Sequence, residues 1–165
     1  MSLLALLQVC CLAAFAILLI TAGWQDLRTM RIANGLSIAI AVSFVLWAVA
    51  GLGLGRVTLG QIGWSVVCAV VVFSVSAFVF ALRAIGGGDV KLLAAASLFA
   101  GPTHQFDFLA VTAFVGGLLG LALLAGVPVG PVRQGEGAAT LRSGLPYGPA
   151  IAAGGLWVAA SLVIA

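Results

Sequence analysis

Long apolar runs alternate with short polar segments along the whole chain. The runs cover approximately residues 3–23, 34–54, 58–82, 90–100, 106–127 and 146–165. A helix needs about 20 consecutive apolar residues to cross the hydrocarbon core of a bilayer, and every run except the fourth has about that length. The pattern therefore predicts an all-α, polytopic membrane protein with six transmembrane helices.

The fourth run, Val90 to Ala100, is too short to cross a bilayer by itself. At the rise of an α-helix it covers about 16 Å, roughly half of the hydrocarbon core. It can cross only if the glycines before it also lie within the bilayer, or if its helix is buried among the other helices. Residues 101–105, which begin with Gly-Pro, are predicted to form a turn before the fifth run.

The composition shows that lipid is the solvent of this chain. Hydrophobic residues make up 64% of it and charged residues 7%, and its mean hydropathy is +1.31. A water-soluble domain has about a quarter charged residues. We expect one transmembrane domain over residues 1–165 and no nucleic-acid binding, because no basic cluster suited to a phosphate backbone is present. No Lys or Arg precedes Arg28, so we expect the first run to be retained rather than cleaved as a secretory signal.

The cysteines of the chain are interpreted as small hydrophobic residues. Cys10, Cys11 and Cys68 all lie in apolar runs, and none of them forms a C-x-x-C pair. Their odd number argues against a disulfide framework, and free cysteines commonly pack as small apolar side chains.

The distribution of positive charge predicts the orientation of the chain. Six of the seven Lys and Arg residues lie in the first, third and fifth loops, and the second loop has only Arg56. An excess of Lys and Arg marks cytoplasmic loops. We therefore expect these three loops to face the cytoplasm and both termini to face outward. The six residues are Arg28, Arg31, Arg83, Lys91, Arg133 and Arg142.

Asp26 and Asp89 are the candidate catalytic residues. The chain has only four acidic residues, and these two border apolar runs on the same predicted side. Carboxylates next to hydrocarbon are costly and commonly functional. Two carboxylates in one site can share a proton, so one can activate water while the other protonates a leaving amine. Such a pair needs no metal and no cofactor. The alternatives are that Asp89 caps the fourth helix, and that Asp26 pairs with Arg28 or Arg31.

Three glycines and a lysine surround Asp89. Gly86, Gly87 and Gly88 remove side chains immediately before it, which suits either the binding of an extended peptide or a close helix crossing. Lys91 can act on the acid or on a substrate group, or it can be a cytoplasmic charge that extends to the membrane surface. In the first loop, Asn34 or Ser37 is predicted to cap the second helix.

His104 and Asp107 are predicted to lie across the membrane from the two acids. A single histidine with one acid is not a metal site, and no H-E-x-x-H motif occurs. Because His104 is the one histidine of the chain, a Ser-His-Asp arrangement with these acids is also excluded.

Three blocks of the chain together resemble the prepilin peptidases, which are GxGD-type intramembrane aspartic proteases, and most closely the small members that serve Tad/Flp pilus systems. The first block, residues 26–34, reads DLRTMRIAN and has Ala33 where the family usually has proline. The second, residues 86–91, reads GGGDVK. The third, residues 145–150, reads LPYGPA and opens the last apolar run.

This resemblance implies a specific activity and partner. It implies that Asp26 and Asp89 are the catalytic pair, and that they remove the leader peptide of Flp-like pilin precursors at the cytoplasmic face of the bacterial inner membrane. Asn34, Pro146 and Gly148 would shape the site. Larger relatives carry an N-terminal methyltransferase domain that has no counterpart here, so we do not expect N-methylation of the mature pilin. The expected partners are the prepilin leader and membrane lipid, and the sequence leaves open whether the chain forms a homo-oligomer.

Two other functions remain open from the residues alone. The acids could form the relay of a proton-coupled transporter, although the runs carry few polar residues between Asp89 and the far face. The chain could also be a non-catalytic scaffold of a secretion or pilus system.

Overall fold

The computed structural model describes residues 2–127 and 146–164, and every regular element in them is an α-helix. The helices are α1 (Leu3–Thr29), α2 (Asn34–Gly53), α3 (Leu59–Ala81), α4 (Gly87–Leu124) and α5 (Gly148–Ile164). The first four are long and apolar enough to cross a membrane, and α5 is a shorter apolar helix. The protein is therefore a polytopic α-helical membrane protein. The predicted loop with Arg133, Glu136 and Arg142 lies outside the described residues.

Helix α1 is longer than its apolar run predicts. It continues through Asp26 to Thr29 and ends at Met30, whose φ of 50° is left-handed. The side chain of Gln25 accepts a hydrogen bond of 3.2 Å from the amide of Ala33 and so joins the connector to the end of the helix. The first loop, predicted between the runs 3–23 and 34–54, therefore shrinks to residues 30–33, and Asp26 lies on a helix instead of in a loop.

The residues predicted to cap α2 do not cap it, whereas α3 begins with a full capping box. Ala33 is the N-cap of α2 and gives no side-chain hydrogen bond, so neither Asn34 nor Ser37 caps this helix. Thr58 caps α3, and the Gln61 side chain accepts from the Thr58 amide in return. This reciprocal pairing satisfies two amides that would otherwise lack partners at the start of the helix.

Helix α4 joins the fourth and fifth apolar runs, which were expected to be separate helices. As a straight rod its 38 residues would measure about 57 Å, nearly twice the hydrocarbon thickness. The helix instead bends at Gly101, whose φ of 53° and ψ of −168° are not helical, and Pro102 follows. The side-chain amide of Gln105 donates a hydrogen bond of 3.1 Å to the hydroxyl of Ser97. Along a straight helix these two residues would lie about 12 Å apart, so the bend brings them together.

The bend therefore divides α4 into a first arm, residues 87–100, and a second arm, residues 102–124. The predicted turn over residues 101–105 is confined to Gly101, and the residues after it are already helical. The described residues accordingly contain five helical elements where six were expected.

Aromatic rings fill the centre of the bundle. Phe15 of α1 stacks on Phe99 of α4 with ring centroids 4.1 Å apart, and Phe44 of α2 meets Phe99 edge-on at 5.4 Å. Helix α1 packs against α2 and α5, while α4 packs against α2, α3 and α5. Large apolar side chains cover much of the outer surface, including Trp24, Trp64 and Trp157. Such a surface fits a lipid environment, since water-soluble proteins expose only small apolar patches.

Candidate active site

Asp26 lies at the junction of α1 and α5. It is 4% exposed, and its Oδ2 accepts a hydrogen bond of 2.8 Å from the amide of Gly148. A Cβ at position 148 would lie 2.6 Å from the Cβ of Asp26, so only glycine fits at this approach. One turn earlier, a Cβ at Gly23 would lie 3.3 Å from the Cα of Pro149. Small residues therefore bring the first turn of α5 directly against the acid.

Asp89 lies three residues inside the start of α4. Gly86 is the N-cap, and its amide donates to Oδ2 of Asp89 over 3.1 Å. The alternative that Asp89 caps this helix is therefore right in part, because its side chain bonds an amide at the helix start, although Gly86 and not Asp89 is the N-cap residue. Its other oxygen, Oδ1, is buried and has no hydrogen-bond partner among the described residues. One oxygen thus holds the helix start, and the other remains available for chemistry.

The two carboxylates meet at one end of the bundle. Asp26 comes from the last turn of α1 and Asp89 from the first turn of α4. Both are buried, and two carboxylates that share a buried site cannot easily both be ionised. The arrangement can therefore hold one proton between two carboxyl groups.

The arginines near Asp26 do not neutralise it. The guanidinium carbon of Arg28 lies 4.7 Å from the centre of the Trp24 ring, which is the geometry of a cation–π contact. Within residues 2–127 and 146–164, neither Arg28 nor Arg31 forms an ion pair with Asp26. The alternative of an interfacial acid paired with arginine is therefore wrong for Asp26.

The three glycines before Asp89 have different surroundings. A Cβ at Gly86 would lie 2.8 Å from Oδ2 of Asp89, and one at Gly88 would lie 3.1 Å from the Cβ of Ile32. A Cβ at Gly87 would make only ordinary contact with Phe80 at 3.4 Å. Because Gly87 and Gly88 form the first turn of α4, the bare backbone that was expected to suit an extended substrate is non-helical only at Gly86. Gly88 instead permits a close approach of the α1–α2 connector.

Lys91 and Asn34 connect the starts of two helices. The ammonium group of Lys91 donates a hydrogen bond of 2.8 Å to the side-chain oxygen of Asn34. This contact explains why Asn34 does not cap α2, since its oxygen is turned toward α4. The pair lies at the same end of the bundle as Asp89, because Lys91 is in the same first turns of α4.

The segment that enters α5 completes the site. Pro146 is fully buried, and Tyr147 packs against the hydrophobic core. They lead directly to Gly148, the donor to Asp26. Leu145, the first residue of this block, lies outside the described residues. The family resemblance implied that Pro146 and Gly148 shape the site, but nothing in the sequence identified the Gly148 amide as a contact of Asp26 or Ile32 as a contact of Gly88.

His104 and Asp107 lie on the second arm of α4, away from both acids. The Nδ1 atom of His104 is 4.0 Å from Oδ2 of Asp107, and Asp107 is exposed. They do not join the carboxylate pair. Within the part of the chain that the structure describes, no group of three or more His, Cys, Asp or Glu side chains could hold a metal ion.

Comparison with known proteins identifies one family. The model of the type IV leader peptidase family matches residues 13–121, roughly two thirds of the chain, and this range includes Asp26, Asp89 and the whole of α2 and α3. No curated protein and no solved structure matches. The matched range ends before Pro146 and Gly148, so the contact between α5 and Asp26 comes from the structure alone.

Proposed function

Since this chain belongs to the type IV leader peptidase family, we propose that it is an aspartic endopeptidase that removes the leader peptide of pilin precursors at the cytoplasmic face of the bacterial inner membrane. One observation carries the aspartic mechanism. Asp26 and Asp89 come from different helices to one end of the bundle, and Oδ1 of Asp89 is buried without a partner among the described residues.

The proposed reaction uses the two carboxyl groups as base and acid. The ionised carboxylate takes a proton from a water molecule, and the water oxygen attacks the carbonyl carbon of the scissile peptide bond. The protonated carboxyl group gives its proton to the carbonyl oxygen. When the C–N bond breaks, the leaving nitrogen takes up the proton of the dyad, and one hydroxyl group of the tetrahedral intermediate returns a proton to the other carboxylate. The products are then an acid and an amine, and the dyad again holds one proton. The unpartnered Oδ1 of Asp89 is an atom that a water molecule or the substrate carbonyl can contact.

The surrounding residues position this pair. The amide of Gly148 holds Oδ2 of Asp26, and the amide of Gly86 holds Oδ2 of Asp89. Each acid thus has one fixed oxygen, which limits rotation of its carboxyl group. The Lys91–Asn34 hydrogen bond holds the start of α4 against the start of α2. Pre-organised groups of this kind reduce the cost of reaching the reactive geometry.

The ends at which the positive charges lie support the proposed cytoplasmic location. Arg28 in the last turn of α1, Arg83 just after α3 and Lys91 near the start of α4 lie at the end of the bundle that holds the acids. Arg56 follows α2 at the opposite end. The positive-inside rule assigns the end with more positive charge to the cytoplasm. If each arm of α4 crosses the bilayer, the chain crosses six times and its N-terminus faces outward.

Replacement of each acid by its amide tests the proposal. The chain and a prepilin are co-expressed, and leader removal is followed by gel mobility and confirmed by mass spectrometry. Asp26→Asn and Asp89→Asn should each reduce the cleavage rate about a thousandfold or more, since each removes a group that transfers protons. Both variants should still accumulate in the membrane.

The matched control is Asp107→Asn, the same chemical change on an exposed residue of the second arm. It should cleave at the wild-type rate. Cleavage at the wild-type rate by either Asp26→Asn or Asp89→Asn would refute the aspartic mechanism. Pilus assembly in cells that carry both changes would favour a scaffold, and proton flux through the purified chain in liposomes, lost in the same variants, would favour a transporter.

A further inference from the structure

A cavity of about 800 Å³ lies at the end of the bundle opposite the acids. It is formed by the beginning of α1, the C-terminal half of α2, the beginning of α3, the bend of α4 and the end of α5. Leu12, on its α1 wall, is about 21 Å along the helix axis from Asp26. The cavity is therefore separate from the candidate active site.

A buried amide faces this cavity. Gln8 is 7% exposed within an apolar helix and lines the cavity, and polar side chains in membrane spans are costly and commonly functional. Its Nε2 lies 3.4 Å from the carbonyl oxygen of Trp47, which is a long hydrogen bond. A Cβ at Gly51 would lie 2.7 Å from this nitrogen, so the glycine makes room for the amide. The hydroxyl-bearing Ser65, 8% exposed, also lines the cavity.

The cavity has a cationic side and an aromatic side. Arg56 and His104 line it, and Arg56 is exposed and carries a permanent positive charge. His104 has Asp107 beside it at 4.0 Å, so the net positive charge comes from Arg56. An aromatic wall of the cavity is made of Phe44, Trp47 and Phe99, whose rings pack together. A ligand that fills this space needs both an anionic group and an apolar body.

We propose that this cavity binds one anionic phospholipid. Its phosphate pairs with Arg56, the Gln8 amide and the Ser65 hydroxyl bond the ester oxygens, and an acyl chain lies along the aromatic wall. Charge complementarity selects the anionic headgroup, because a choline headgroup would bring a second cation toward Arg56. The aromatic wall favours a lipid over free phosphate, because a phosphate ion has no apolar part that could contact those rings. The site goes beyond the peptidase activity and does not depend on it.

The purified full-length chain in detergent tests the site by calorimetric titration with dioctanoyl-phosphatidylglycerol. Wild-type protein should bind one molecule saturably. Arg56→Gln should weaken binding about tenfold or more, because it removes a charge-assisted hydrogen bond to the phosphate. The matched control is Arg83→Gln, the same change at the opposite end of the bundle, which should leave the affinity unchanged. Dioctanoyl-phosphatidylcholine should bind about tenfold more weakly than the anionic lipid.

A second variant tests the cavity itself without changing any charge. Ala5 lines the cavity and is partly exposed, so Ala5→Phe reduces the space for the acyl chain and should also weaken binding about tenfold. Thermal unfolding without added lipid checks that both variants are folded. Equal affinity of wild type, Arg56→Gln and Ala5→Phe would overturn the proposal. Inorganic phosphate that displaces the lipid at similar concentration would also overturn it and would indicate a site for free anions.

Discussion

The backbone amide of Gly148 donates a hydrogen bond of 2.8 Å to Oδ2 of Asp26. The contact joins the last turn of α1 to the first residue of α5, and a Cβ on residue 148 would lie 2.9 Å from the same oxygen. The orientation of one candidate catalytic carboxylate therefore depends on a backbone group that is 122 residues away in sequence.

We expect Gly148→Ala to disable the site while preserving the bundle. The added methyl group would meet the Cβ of Asp26 at 2.6 Å, so either the carboxylate or the start of α5 must move. A displacement of about 1 Å can cost about a hundredfold in rate, and leader cleavage measured by gel mobility should fall by that factor. Gly117→Ala is the control, since a Cβ there meets nothing within 4 Å. A Gly148→Ala variant as active as Gly117→Ala would contradict the positioning role.

The approach of Ile32 to Gly88 gives a second prediction. A side chain larger than hydrogen at position 88 would push the α1–α2 connector away, since even a Cβ would lie 3.1 Å from the Cβ of Ile32. Gly88→Val should therefore lower the cleavage rate about tenfold or more, because overpacking typically costs about 1–3 kcal/mol. Ile32→Gly removes the Cβ that a side chain at position 88 would meet, so it should restore part of the activity in the double variant.

The control for position 88 is Gly63→Val on α3, where a Cβ would have nothing within 4 Å. It introduces the same β-branched side chain into a helix and should retain cleavage. If Gly88→Val and Gly63→Val reduced the rate equally, helix propensity and not the contact with Ile32 would explain the effect.

The Lys91–Asn34 hydrogen bond can be tested by a double-mutant cycle. Lys91→Met and Asn34→Ala each remove one partner of the 2.8 Å contact. Each should lower the cleavage rate about three- to tenfold, in line with a hydrogen bond worth about 0.5–1.5 kcal/mol. Because both changes break the same contact, the double variant should lose no more than the larger single effect. Independent, multiplicative losses would show that the two residues act separately.

The bend in α4 predicts a loss of stability on substitution of Gly101. Its φ of 53° and ψ of −168° lie in a region that residues with a Cβ rarely adopt, at a cost of about 1–3 kcal/mol. A Cβ would also lie 2.8 Å from the Ser65 hydroxyl. Gly101→Ala should therefore lower the midpoint of thermal unfolding in detergent. Adding Ser65→Ala should recover only the steric part, and full recovery would mean that the backbone conformation contributes nothing.

The sequence predicts a helix best where a local signal marks its start. Thr58 and Gln61 form a capping box, and the predicted third run agrees with α3 within one residue at each end. The end of α1 was predicted too early because residues after Trp24 are polar, although the helix continues and Arg28 stacks on that tryptophan. Polarity alone does not end a helix when its side chains find partners on the helix itself.

Contacts between distant segments account for what the sequence does not predict. Asn34 is a favourable capping residue, yet its oxygen accepts from Lys91, which is 57 residues away. The bend at Gly101 combines a glycine conformation with a hydrogen bond between Ser97 and Gln105. The common side of Asp26 and Asp89 could be predicted from charge, whereas the Gly148 and Gly86 amides that hold them could not. The catalytic roles of these acids stay predictions until the variants are measured.

The short first arm of α4 affects how a substrate would be recognised. Residues 87–100 measure about 21 Å along the helix, against a hydrocarbon core of about 30 Å. If the bend at Gly101 lies at one edge of that core, Asp89 is about 18 Å from that edge and so lies roughly 12 Å inside the other edge. A peptide bond would then have to descend below the headgroups, and water would have to follow it. Depth of entry, as well as side-chain recognition, would then discriminate between a leader that is cut and a neighbouring membrane helix that is spared.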